Sequence, residues 1–99
     1  MFDISTVSRR YFAVKLENGI TIEVEPPKLK ALKKITALAK SRNEDAMDDL
    51  TEAIKMILSK NRSGYKLSDE LIEDIDFDEM NDLLTAYFEW LSKSKNTPN

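Results

Sequence analysis

At 99 residues the chain is sized for a single domain, and 41% hydrophobic against 33% charged residues indicates a globular rather than a disordered protein. It has no cysteine and no histidine, which excludes disulfides, thiolate or imidazole catalysis, and the ordinary zinc, copper and haem sites. A net charge of −3 provides no overall field to recruit nucleic acid, and no apolar run approaches the ~20 residues of a membrane span. No signal-like apolar stretch opens the sequence, so a cytoplasmic protein without a cofactor is expected.

Residues 1–9 read as an arm in which Phe2, Ile4 and Val7 alternate but Ser5, Thr6 and Ser8 dilute them. Such a segment is either a frayed terminus or a strand that forms only when something pairs with it. Residues 10–25 give the clearest local signal, because the runs RYFAVKL and ITIEVE flank Glu17-Asn18-Gly19. An Asn-Gly turn between alternating apolar residues predicts a β-hairpin. A two-residue loop would set Leu16 against Thr21 and Val14 against Glu23, mixing apolar with polar. A three-residue loop pairs Leu16 with Ile20, Val14 with Ile22 and Phe12 with Val24, which builds one apolar face. The three-residue loop is therefore expected, with Gly19 in the left-handed position of a bulged turn.

Pro26-Pro27 ends the second strand and is expected to open a helix over 27–41, since proline is tolerated in a first helical turn. Leu29, Leu32, Ile35 and Ala39 share one side of it, and Lys30, Lys33, Lys34 and Lys40 share the other. Asn43 is a candidate cap for a helix over 44–60, with Met47, Leu50, Ile54, Ile57 and Leu58 as its apolar stripe. Asn61-Arg62-Ser63-Gly64 breaks that helix, and Ser68 caps a short one over 68–75. Asp76 with Glu79 forms a capping-box start for a last helix over 77–94. Its apolar residues, from Phe77 through Met80, Leu83, Leu84, Tyr87, Phe88 and Trp90 to Leu91, span roughly 160°, wider than one packing contact needs. The expected class is α+β, mainly α: an arm (1–9), a hairpin (10–25), a helical part of about four helices (26–94) and a tail (95–99).

Little in this chain points to chemistry. Asp74, Asp76 and Asp78 resemble the start of a calcium loop, but Glu79 stands where its sharp-turn glycine belongs and Thr85 where its bidentate glutamate belongs. With two glycines there is no phosphate-cradling loop, and no cleft that would raise one of a pair of carboxylates is apparent, so enzymatic activity is not expected. Charge distribution says more than its sum. Residues 28–42 carry six basic and no acidic residues, while 68–91 carry nine acidic and no basic ones. Opposed poles can draw copies of a chain together or meet a partner of mixed charge, although two neighbouring or independently solvated faces give the same pattern. The lysine face lacks arginines and interleaved aromatics, so nucleic acid is not expected as a partner. Met56 falls among polar residues of its helix and Trp90 at the edge of its stripe, positions that suit either a contact surface or the rim of a core. Lys30, Lys33, Lys34, Lys40, Met56, Phe88 and Trp90 are thus the candidate partner-binding or self-association residues.

A hairpin leading through prolines into a small helical domain that closes on an acidic turn and an aromatic helix, here IEDIDFDEMNDLLTAYFEWLSKSK, resembles the tail assembly chaperones of long-tailed phages and prophages of Gram-positive bacteria. The resemblance spans about residues 10–95 and rests on architecture. It implies a protein of the bacterial cytoplasm that coats the long helical tape-measure protein, keeps it soluble, helps recruit tail-tube protein and leaves before the virion is finished. It also implies a longer frameshifted product, for which Lys93-Ser94-Lys95-Asn96 would allow an A-rich slippery stretch. A small regulator or inhibitor of a host protein is the competing expectation.

Overall fold

The computed structural model describes residues 10–93, so the expected arm over 1–9 and tail over 95–99 lie outside the described residues. An N-terminal antiparallel hairpin is followed by four helices, and the class is α+β, mainly α. Strand β1 (Phe12–Lys15) pairs with β2 (Thr21–Val24), and Phe12 faces Val24 while Val14 faces Ile22. This is the register of the three-residue loop. Leu16 N–H donates to Ile20 O at 2.8 Å, and Gly19 takes φ +86°, a left-handed conformation in which any side chain would be strained. Burial follows from the register, with Leu16, Ile22 and Val24 buried and Ala13, Lys15, Thr21 and Glu23 exposed.

The prolines do not open α1 (Leu29–Ala39) as expected; they precede it, and Lys28 is its extended N-cap. The chain remains strand-like past β2 because Val24 bridges to Asn61 and Glu25 N–H donates to Lys60 O at 2.8 Å. Helix α2 (Ala46–Ser59) begins two residues later than the sequence suggests. Asn43 does not cap it: its Oδ1 accepts from Asp45 N–H at 2.9 Å and from the Ser41 hydroxyl at 3.1 Å, which closes a turn before the helix. Met47 lies in the first turn and is half exposed, while Ala53, unremarked in the sequence, is fully buried. Leu29 is likewise exposed at the start of α1, where Ile35 is the buried residue.

Helix α3 (Asp69–Glu73) is capped by Ser68, whose Oγ accepts from Leu71 N–H at 3.1 Å. Helix α4 (Phe77–Ser92) carries the complete capping box: Asp76 Oδ1 accepts from Glu79 N–H at 2.7 Å, and Glu79 Oε1 accepts from Asp76 N–H at 2.9 Å. Helix α2 is the hub. It packs against α1, α3, α4 and β2, and Ala53, Ile54, Ile57 and Leu58 are at most 1% exposed. Its C-terminal end is tied down by Asn61, a buried polar residue whose Nδ2 donates to Leu58 O and Tyr65 O and whose Oδ1 accepts from Tyr65 N–H at 2.7 Å. An amide fully satisfied in this way holds the helix end and the following turn as one unit. Among the described residues no helix is long and apolar enough to cross a membrane.

Candidate binding surface

Strand β1 runs alongside α4 in the opposite direction, and this juxtaposition creates the surface of interest. At one end the interface is sealed. The Phe12 ring lies 5.8 Å from Tyr87 and 5.5 Å from Trp90, and the Arg10 guanidinium stacks over Trp90 at 4.8 Å. Arg10 also donates to Trp90 O at 2.6 Å, Lys93 O at 2.9 Å and Leu91 O at 3.0 Å. These are carbonyls of the last helical turn, left without partners in the helix and carrying the negative end of its dipole. Burial pushes the Tyr87 phenol up to about 12.

At the other end the two elements part. A groove of about 260 Å³ opens there, with an apolar floor of Val14, Leu16, Leu58, Leu71, Ile75 and Leu83. Its rim carries Glu17, Glu79 and Asp82, with Lys15 as the one base among the lining residues. The Glu17 carboxyl sits above the ordinary carboxylate value, chiefly through the charge of Glu79 and a hydrogen bond to it, with Asp74 and Asp76 adding to the effect. The structure therefore unites two carboxylates that were not expected to meet. Glu17 is exposed, however, and the floor beneath the pair is aliphatic. Among the described residues no group of three carboxylates converges on a metal position.

The seven candidates from the sequence do not form one surface. Lys30, Lys33 and Lys34 are exposed on α1 and line neither groove described here. Lys40 and Phe88 do meet: with Ala39, Leu84, Thr85 and Glu89 they line a second, more open depression between α1 and α4. Phe88 is half-buried there, its ring 5.6 Å from Tyr87. Met56 packs against the core, because neighbours on several sides of α2 give it a wider buried arc than a single stripe. Trp90 belongs to the sealed end, half-buried beneath Arg10 and Phe12. The opposed charge poles are not joined by ion pairs: among the described residues the recorded pairs are Lys55–Asp69 at 2.9 Å, Arg62–Glu23 at 3.3 Å and Lys60–Glu25 at 3.6 Å. None involves a lysine of α1.

The groove residues escaped the sequence reading. Val14, Leu16 and Leu83 were assigned to apolar faces, and the breadth of the α4 stripe was the one signal that some of it would remain uncovered. Nothing local reveals that the hairpin tip delivers Glu17 to the acidic start of α4. Comparison with protein families, with characterised proteins and with solved structures finds no match for this chain.

Proposed function

We propose that this chain is a non-enzymatic assembly chaperone of the phage-tail kind, which holds a long helical client such as a tape-measure protein in the bacterial cytoplasm until assembly consumes it. The observation that supports this reading is the open groove between β1, α3 and α4. It leaves Val14, Leu71, Ile75 and Leu83 partly exposed side by side, as a holder of apolar helices requires. The arrangement of a hairpin followed by four helices agrees with the layout on which the resemblance rests. Lys30, Lys33 and Lys34, unpaired with the acidic helices, are available for contacts between copies or with the client.

Affinity purification from a native bacterial extract, with mass spectrometry and quantified stoichiometry, tests the proposal. Retention of a very long, helix-rich protein with this chain in large molar excess is the expected result. Retention of a single host enzyme at equal stoichiometry overturns it in favour of an inhibitor. Steeply salt-dependent retention of nucleic acid would also overturn it.

A further inference from the structure

We infer that the groove between β1, α3 and α4 is the seat of a cationic amphipathic helix of a protein partner, with the partner's apolar stripe on the aliphatic floor and its lysines or arginines between Glu17, Glu79 and Asp82. This deepens the chaperone reading by naming the segment that the groove accepts. Three features support it. First, the aliphatic floor is drawn from several elements, Val14 and Leu16 from the hairpin, Leu58 from α2, Leu71 from α3 and Leu83 from α4. An aliphatic floor assembled in this way receives the apolar stripe of an amphipathic helix. Second, the rim is acidic on both walls, Glu17 from the hairpin and Glu79 and Asp82 from α4, against Lys15 alone, so complementarity favours a basic occupant. Third, Glu17 and Glu79 are held in mutual repulsion, with Asp74 and Asp76 reinforcing it. A cation placed between them turns that repulsion into two attractions, so the unliganded chain favours an occupant of this sign.

The full chain, isotope-labelled for NMR, is titrated with a peptide of about three Leu/Lys heptads and with the same peptide carrying Glu for Lys. The Lys peptide is expected to bind and to shift Leu16, Glu17, Leu71, Ile75 and Leu83, while the Glu peptide binds at least ~10-fold more weakly. The charge-reversed variant Glu17→Lys/Asp82→Lys is expected to exchange the two preferences, an outcome that a merely unfolded variant cannot produce. Equal affinity for both peptides, no binding of either, or shifts centred on the Lys40–Phe88 depression overturns the inference. The same variant in the affinity purification separates the two claims. Peptide preference without a long client leaves the groove assignment standing and removes the chaperone reading. A long client retained without any peptide preference does the reverse.

Discussion

The two ends of the β1–α4 interface are built from the same pair of elements and behave oppositely. At the Arg10 end, a cation from the hairpin meets the negative end of α4 and an aromatic face, and three rings close beneath it. At the Glu17 end, an anion from the hairpin meets a helix start that already carries Asp76, Asp78 and Glu79, and the apolar floor beneath remains open. Acidic residues near a helix N-terminus are individually favourable, because they face the positive end of the dipole. The unfavourable addition is the one brought from outside the helix. Opposite charge signs at the two ends of an eight-residue stretch thus accompany a sealed interface at one end and an open one at the other.

This contrast breaks most visibly on truncation. Phe12→Ala removes the ring that touches both Tyr87 and Trp90, and is expected to destabilise the fold by about 3 kcal/mol. Leu83→Ala, at the open end and already half exposed, should lose about 1 kcal/mol. Urea unfolding followed by circular dichroism compares them, and equal losses would mean that the groove is not open in solution. The sealed end also has a pH signature. Tyr87 is pushed from 10.0 to about 12, so the folded state holds its proton more tightly than the unfolded state does. Its contribution is fully present below about pH 10 and is lost as pH rises towards 12, amounting to roughly 2–3 kcal/mol. The measurement is the difference between the wild type and Tyr87→Phe, which should lack that loss. Arg10→Ala is expected to lower stability by about 1–2 kcal/mol through the carbonyls and the indole face it abandons. Arg10→Lys restores the charge but not the planar fork, and should recover only part of the loss.

Those residues mark the boundary of what the sequence discloses. The hairpin register was legible because one slip would have mixed polar with apolar partners, and Asn18-Gly19 supplied the turn. The caps of α3 and α4 were legible because their partners lie three residues away. Arg10 was not, since its partners lie 80 or more residues along the chain. Asn61 looked like a helix breaker, and only the folded turn shows it as a buried hub for Leu58 and Tyr65. The groove was illegible for the same reason as Arg10. A hydrophobic stripe shows how much of a helix can be covered, while the docking angle of a distant hairpin decides how much is.

The smallest expected effect bears most directly on the open end. The Glu17 carboxyl is raised above its ordinary 4.5, so the folded state favours its protonated form. The stability associated with that form is present below about 4.5 and is lost as pH rises through the raised value, which leaves the folded chain carrying the Glu17–Glu79 repulsion at neutrality. Glu17→Gln removes the charge and retains an amide able to hydrogen-bond Glu79. It should raise the melting temperature near pH 7, with the gain vanishing below about pH 4.5 and shrinking in ~1 M salt. The same substitution should weaken binding of a cationic helix, so stability and affinity move in opposite directions. A variant that lost stability at neutral pH would show that Glu17 already has a compensating partner within the chain, and the groove would then have no electrostatic reason to prefer a basic occupant.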